Sequence, residues 1–154
     1  AYLGDQHPWP GQYFLFYVTQ NLYPGRRIMT KRKILLIDDE TDIQTVAKIG
    51  LTLNTDWSVI TASSGEAGLE MAIATAPDAI LLDVAMPGMA GLATISALQK
   101  NTTTAKIPVV FLTAKAQASD RRRLYEAGAS GVITKPFDPI TLSSQQAGFL
   151  SWTI

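Results

Sequence analysis

Five short apolar runs alternate along the chain with segments of helical periodicity, and this alternation limits the possible folds more than any other feature. The first run, Ile34-Leu35-Leu36-Ile37, is apolar at every position, as expected for a strand buried on both faces. The four later runs are Val59-Ile60, 79–82, 109–112 and Val132-Ile133. Strands that alternate with helices pair in parallel and are covered on both faces. The pattern therefore predicts an α/β fold with a five-stranded parallel sheet.

Helix-like segments fill the intervals between these runs. The apolar periodicity predicts helices at 41–53, 65–75, about 91–100, 119–127 and 139–150. Ser63 with Glu66 has the pattern of a capping box for the second helix, and Ser119 is a candidate cap for the fourth. Asp138 directly before Pro139 predicts the start of the fifth helix.

The composition excludes several kinds of site. The chain has no cysteine, which excludes disulfides, thiolate catalysis and cysteine-ligated zinc, and its single histidine, His7, argues against a Ser-His triad. Thirteen Lys and Arg residues balance thirteen Asp and Glu residues, so no overall positive field attracts nucleic acid. We expect no nucleic-acid partner, and chemistry based on carboxylates, hydroxyls and lysine.

Residues 1–28 differ in composition from the rest of the chain. They hold seven of the thirteen aromatic residues and only three charged ones. Their longest apolar run, 13–18, is far shorter than the roughly 20 residues of a membrane span, and no basic segment precedes it. We therefore expect no membrane span and a cytoplasmic location. Because Met29 resembles a translation start, we divide the chain into a leader, 1–28, and a domain, 29–154. The leader is either non-native sequence or an arm that packs on the domain or on a second copy.

Polar residues follow four of the five predicted strands. Asp38-Asp39 end the first strand, Asp83 the third, Thr113 the fourth and Lys135 the fifth. In open parallel sheets, ligands bind outside the carboxyl ends of the strands. Three carboxylates at one edge repel one another unless a proton or a cation neutralises them, and ligands that are all oxygen suit Mg²⁺. The lysine and the threonine are then suited to bind a phosphoryl group.

Four motifs around these residues together resemble the receiver domain of two-component response regulators. They are Asp38-Asp39-Glu40, Leu82-Asp83-Val84 leading to Met86-Pro87-Gly88, Leu112-Thr113-Ala114, and Ala127-Gly128-Ala129 through Lys135-Pro136-Phe137. The similarity covers about residues 33–150, and the spacing between the motifs also suits the family. It implies a flavodoxin-like doubly wound sheet of strand order 2-1-3-4-5 with helices on both faces.

The resemblance also implies a cation site. Asp39 would bind Mg²⁺ directly and Asp38 mainly through water. Asp83 and the backbone carbonyl of Ala85 would complete the protein ligands. We interpret Glu40 only as a complement to the dipole of the first helix.

The resemblance further implies a phosphoryl site. Asp83 resembles the phosphoacceptor, which attacks a phosphohistidine of a histidine kinase or a phosphotransfer protein. Lys135 would contact a phosphoryl oxygen, and Thr113 would donate its hydroxyl to another. The bond between Lys135 and Pro136 is cis in members of the family. The expected protein is a phosphorylated signalling domain, acting by protein contact, rather than an enzyme with turnover.

A receiver-like module that signals without phosphate, through a homodimer or a docked partner, is the alternative. A dehalogenase-like phosphatase is disfavoured because such enzymes carry a second aspartate two residues after the nucleophile, and Ala85 stands there. Nucleotide binding is disfavoured because neither a Walker loop nor a dinucleotide glycine fingerprint follows the first strand.

Overall fold

Strands and helices alternate strictly along the described part of the chain. The structure is a computed structural model and describes residues 31–86, 88, 90–115 and 117–154. Its strands are β1 (Lys33–Ile37), β2 (Ser58–Ala62), β3 (Ala79–Asp83), β4 (Val109–Thr113) and β5 (Gly131–Thr134). Its helices are α1 (Thr41–Thr52), α2 (Gly65–Thr75), α3 (Gly91–Lys100), α4 (Ala118–Glu126) and α5 (Leu142–Leu150).

The five strands form one parallel sheet in the order β2-β1-β3-β4-β5. This confirms the predicted α/β class and the strand order implied by the family resemblance. The chain runs outward from β1 to β2 and then crosses to β3 on the other side of β1. The strand order therefore reverses between β1 and β3, and a crevice for a ligand is expected at their carboxyl ends.

Alternate side chains of the strands pack against helices on opposite faces of the sheet. One face has a buried cluster that joins β1 to α2, α3 and α4: Leu35, Ile37, Ala72, Ile95, Leu98 and Leu124. The other face has a buried cluster that joins β1 to α1 and α5: Ile34, Leu36, Ala47, Leu51, Leu142 and Ala147. Each fully buried Leu or Ile stabilises the fold by roughly 1.5–3 kcal/mol. The predicted helices on both faces are thus confirmed.

The cap of α2 lies one residue later than predicted. Ser64 is the N-cap residue, and its hydroxyl accepts a hydrogen bond from Ala67 N at 3.1 Å. The prediction of a capping box from Ser63 is therefore wrong. The hydroxyl of Ser63 instead accepts a hydrogen bond from Gln44 Nε2 at 3.1 Å. A long-range contact has replaced the local one.

The starts of α4 and α5 also differ from the prediction. The N-cap of α4 is Gln117, which makes no side-chain cap, so Ser119 lies inside the helix. The carboxylate of Asp138 accepts a hydrogen bond from Ile140 N at 2.9 Å and closes a turn, while α5 begins only at Leu142. Both predicted caps were wrong, and at Asp138 the reason is that a local side-chain bond stabilises a turn as well as a helix start.

Within the described residues, no helix has both the length and the apolar character needed to cross a membrane. The predicted leader, 1–28, lies outside the described residues, as does His7. The domain boundary at residue 28 stays a prediction.

Candidate functional site

The carboxyl ends of β1 and β3 bring four carboxylates together. Ile37 of β1 pairs with Leu82 of β3, so the next residues, Asp38 and Asp83, lie side by side. The cluster consists of Asp38, Asp39, Glu40 and Asp83. Each contributes one carboxylate oxygen that lies within 4.8 Å of the other three oxygens. Asp38 and Asp83 are buried, whereas Asp39 and Glu40 are exposed. The cluster therefore has a buried floor and an opening to solvent.

Asp38 is held by both its backbone and its side chain. Its backbone N–H donates to Ala62 O of β2 at 3.1 Å. Its Oδ1 accepts a hydrogen bond from Glu40 N at 2.9 Å, while Oδ2 accepts one from Lys135 Nζ, also at 2.9 Å. These bonds fix the direction of a carboxylate that has no exposed surface.

Lys135 supplies the positive charge of the site. Besides its bond to Asp38, its Nζ lies 3.2 Å from Asp83 Oδ1 and 3.7 Å from Glu40 Oε1. The lysine follows β5, and its N–H donates to Thr113 O of β4 at 2.7 Å. The bond between Lys135 and Pro136 is cis, as the resemblance implied. One ammonium group therefore faces three carboxylates.

The electrostatic balance of the site shows in two pKa shifts. Burial, and next the charge of Asp38, raise the pKa of Asp83 above its usual value, and Lys135 only partly opposes this. Burial by itself lowers the pKa of Lys135. The hydrogen bond to Asp38 and the negative charges of Asp83 and Asp38 outweigh that effect, so its pKa is raised. The site therefore keeps an excess of negative charge.

The donor set suits a hard cation. All four carboxylates offer oxygen ligands, and the two exposed ones leave room for water on the solvent side. A divalent metal ion would offset both the burial of the Asp83 charge and its repulsion by Asp38, the two effects that raise the pKa of Asp83. The cluster could therefore hold such an ion.

The other two predicted site residues lie at the same edge of the sheet. Thr113 ends β4 and is buried. Its Oγ1 accepts a hydrogen bond from Lys115 N at 3.0 Å, so its hydroxyl is tied to the following loop. Ala85 N donates to Asp83 Oδ1 at 3.4 Å. The role of the Ala85 carbonyl as a metal ligand stays a prediction.

Comparison with known proteins identifies the domain that carries this cluster. The sequence profile of the response regulator receiver domain matches residues 34–146. The chain belongs to this family. The receiver domain and its place in two-component systems, expected from the four motifs, are thereby confirmed.

Curated relatives agree with the assignment of the receiver domain. The transcriptional regulatory protein KdpE of Mycobacterium tuberculosis is 38% identical over 104 residues, which cover 68% of this chain and 44% of the relative. The response regulator PleD of Caulobacter vibrioides is 41% identical over 110 residues, which cover 71% of this chain and 24% of the relative. The chain thus spans less than half the length of either relative.

Solved structures resemble the receiver domain over nearly their whole length. The chemotaxis response regulator CheY4 of Vibrio cholerae superposes with a TM-score of 0.73 at 28% identity, covering 78% of this chain and 99% of that chain. A response regulator from Desulfuromonas acetoxidans gives a TM-score of 0.71 at 27% identity, covering 78% of this chain and 97% of that chain. Both support the doubly wound fold.

Two residues of the receiver site were missed by sequence reasoning. Glu40 was interpreted only as a dipole complement, yet its carboxylate belongs to the acidic cluster. Its position directly after Asp38-Asp39 was the available signal. Gln44 was not singled out, although its side chain bonds to Asp38 O. Its signal was its place in the first turn of the helix that directly follows the acidic motif.

Gly91 allows the receiver domain to pack α3 against the carboxyl end of β3. Its N–H donates to Val84 O at 3.0 Å. A Cβ atom at this position would lie 2.7 Å from Asp83 O and 2.8 Å from Val84 Cα, so the backbone would have to move. We predict that Gly91→Ala lowers the free energy of unfolding by about 1–3 kcal/mol, as measured by urea denaturation.

Gly148 provides a matched control for this prediction. It lies inside α5, and a Cβ atom there would meet nothing within 4 Å. Gly148→Ala should raise the free energy of unfolding by about 0.5–1 kcal/mol, because alanine favours a helix more than glycine does. If both substitutions changed stability in the same direction, the explanation from close packing at Gly91 would be wrong.

Proposed function

We propose that Asp83 accepts a phosphoryl group from a phosphohistidine of a histidine kinase or a phosphotransfer protein. The position of Lys135 carries this proposal. Its ammonium nitrogen lies 3.2 Å from an oxygen of Asp83 and 2.9 Å from an oxygen of Asp38. A positive charge at that place lies where the oxygens of a phosphoryl group on Asp83 would need neutralisation.

The chemistry needs one bond to form and one to break. An Asp83 carboxylate oxygen attacks phosphorus while the bond from phosphorus to the histidine nitrogen breaks, and the bonding electrons stay on the imidazole. Lys135 neutralises a phosphoryl oxygen. The Thr113 hydroxyl, whose proton now points to Lys115 O at 3.4 Å, would turn and donate to another phosphoryl oxygen. Phosphoryl transfer depends mainly on such alignment and charge neutralisation.

A magnesium ion is the cation that we propose for the acidic cluster. Asp39 would bind it directly, Asp38 mainly through water, and Asp83 with the Ala85 carbonyl would complete the protein ligands. When bound, the ion supplies positive charge that offsets the carboxylates and the incoming phosphoryl oxygens. The exposed side of the cluster leaves room for the water ligands that Mg²⁺ tends to keep.

The proposal makes this domain a phosphoacceptor in a signalling pathway, without turnover of an external substrate. Its magnesium-dependent reactions would be self-phosphorylation and self-dephosphorylation. Its output would pass by protein contact, including a homodimer, in the predicted cytoplasmic location. The predicted lack of a nucleic-acid partner stays a prediction. A receiver that keeps the acidic site and signals without phosphate is not favoured, and phosphoryl uptake separates it from the proposed function.

Intact-mass measurement after incubation with acetyl phosphate tests this function. We expect a mass gain of one phosphoryl group per chain with Mg²⁺ and no gain with EDTA. The gain should disappear in Asp83→Asn and persist in Asp56→Asn, which changes an exposed aspartate beyond the end of α1. Uptake that survives Asp83→Asn, or that does not depend on Mg²⁺, would contradict the proposal.

A further inference from the structure

The side-chain amide of Gln44 links α1 to the carboxyl ends of two neighbouring strands. Its Nε2 donates to Asp38 O at 2.5 Å and to Ser63 Oγ at 3.1 Å, and it lies 3.4 Å from Ala62 O. Ala62 is the last residue of β2, and Asp38 directly follows β1. A single NH₂ group therefore connects the ends of β1 and β2 with the start of the loop before α2.

The hydrogen bond to Asp38 O fixes more than one residue of the acidic site. The carbonyl of Asp38 belongs to the planar peptide unit that continues into Asp39. Its orientation thus sets the direction in which the chain presents both carboxylates. The N–H of Asp38 bonds to Ala62 O, and its Oδ1 accepts from Glu40 N, which lies just beyond the peptide unit whose carbonyl Gln44 binds. Gln44 holds the peptide unit between the two acids.

Glutamine at this position has both the length and the donors that the contacts need. Gln44 lies in the first turn of α1, where its N–H donates to Glu40 O at 3.0 Å. From there the amide reaches across to the strand ends. Glutamate at this position has no N–H to donate to the carbonyls, and asparagine is shorter by one methylene group. The contacts therefore depend on this residue type.

We propose that Gln44 is a positioning residue for the acidic site, holding the peptide between Asp38 and Asp39 so that their carboxylates meet the cation. This role rests on the proposed function, because the cation and the phosphoryl group belong to that function. Groups that orient metal ligands without touching the metal typically change metal affinity by about 10–100-fold when they are removed. Gln44 belongs to this kind of residue.

Magnesium titration of Gln44→Met by calorimetry tests the proposal, because methionine keeps the size of glutamine and loses both donors. We expect Mg²⁺ to bind about tenfold more weakly than to the unchanged chain. Thr45→Val is the matched control. Its hydroxyl, on the next residue of α1, donates to Thr41 O in the same helix at 3.0 Å. Mg²⁺ affinity in this control should stay unchanged.

Amide hydrogen exchange separates positioning from a general loss of stability. Glu40 N donates to Asp38 Oδ1, so its exchange should become faster in Gln44→Met. Amides in the middle of β1, such as that of Leu36, should keep their exchange rates. Equal acceleration at Glu40 and Leu36 would reveal a purely structural role and overturn the proposal. If Gln44→Met does not fold, Gln44→Asn serves the same test, because its amide is too short to reach Asp38 O.

The outcomes distinguish this proposal from the proposed function. If the unchanged chain binds Mg²⁺ and takes up phosphate while Gln44→Met binds Mg²⁺ equally well, the positioning role is overturned and the function stands. If the unchanged chain neither binds Mg²⁺ nor takes up phosphate, the function fails. In that case, faster amide exchange at Glu40 but not at Leu36 in Gln44→Met would still show that Gln44 positions the peptide unit of Asp38. Unchanged exchange at Glu40 would overturn this positioning role.

Discussion

Lys135→Met is expected to lower the free energy of unfolding of the metal-free domain by about 3–5 kcal/mol at neutral pH, the usual cost of leaving buried charges without their partner. The Lys135 side chain is only 14% exposed, and the Asp38 and Asp83 side chains are 0% and 4% exposed. Removing the ammonium leaves these two carboxylates facing each other. Urea denaturation in the presence of EDTA measures the loss.

The loss should depend on pH in a definite direction. The pKa of Asp83 is already raised above its usual 3.8 by burial and by Asp38, and loss of Lys135 raises it further. An acid with a raised pKa in the folded state costs stability when ionised. That cost is complete above the folded-state pKa and absent below about 3.8, where both states are protonated. The difference between Lys135→Met and the unchanged chain should therefore shrink as pH falls.

The pKa of Lys135 leads to a separate expectation for the unchanged chain. Its bonds to Asp38 and Asp83 raise this pKa above 10.5. The stabilisation it provides is therefore complete below 10.5 and lost only as pH rises through the higher folded-state pKa. At neutral pH the lysine contributes fully, which is why its removal should have a large effect there.

Magnesium and a control lysine complete this test. Mg²⁺ should recover part of the lost stability, because a cation that binds only the folded state stabilises it by mass action. Lys106→Met changes an exposed lysine and should alter stability by no more than about 0.5 kcal/mol. If Lys135→Met lost no more stability than Lys106→Met, the assignment of Lys135 as the counter-charge of the site would be wrong.

Asp83→Asn is expected to abolish phosphoryl uptake and at the same time to raise the free energy of unfolding of the metal-free domain at neutral pH. The amide cannot form the acyl phosphate. It also removes an ionised group whose raised pKa shows that its charge costs the folded state stability. Intact-mass measurement follows uptake, and thermal melting in EDTA follows stability.

The size of this stability change should depend on pH, and its sign on magnesium. The gain should be complete above the folded-state pKa of Asp83 and should vanish below about 3.8. With Mg²⁺ present the order should reverse, because the unchanged chain gains from the bound cation and Asp83→Asn has lost one carboxylate ligand. Asp56→Asn should show neither effect. A metal-free Asp83→Asn domain that melts below the unchanged chain at neutral pH would contradict the electrostatic account.

The sheet could be predicted from the sequence because burial on both faces leaves a strong local mark. The run 34–37 is apolar at every position and lies wholly inside β1. The second strand was harder to delimit, since only Val59-Ile60 is strongly apolar, while β2 extends over Ser58–Ala62. Its pairing with β1 supplies the remaining residues. The alternation pattern does not specify the strand order, which came from the family resemblance.

Helix starts were predicted less well, for a physical reason visible at Ser63 and Asp138. Both residue types bond readily to nearby backbone N–H groups, whether in a helix cap or in a turn. The choice between the two depends on contacts from distant parts of the chain. At Ser63 the deciding contact comes from Gln44, nineteen positions earlier. No local pattern contains that information.

The sequence by itself determined that five buried strands alternate with helices. It also determined which polar residues stand at the strand ends: Asp38, Asp39, Asp83, Thr113 and Lys135. Because parallel strands place their carboxyl ends at one edge of the sheet, these residues could be expected to lie near one another. Only the tertiary structure decided how these side chains pair. Lys135 and Asp38 are 97 positions apart, and their 2.9 Å contact depends on the register of β1, β3, β4 and β5 together. The tertiary structure also decided the contacts of Glu40 and Gln44 in the site. A hydrogen bond or an ion pair forms only when the packed sheet brings its two atoms within about 3–4 Å.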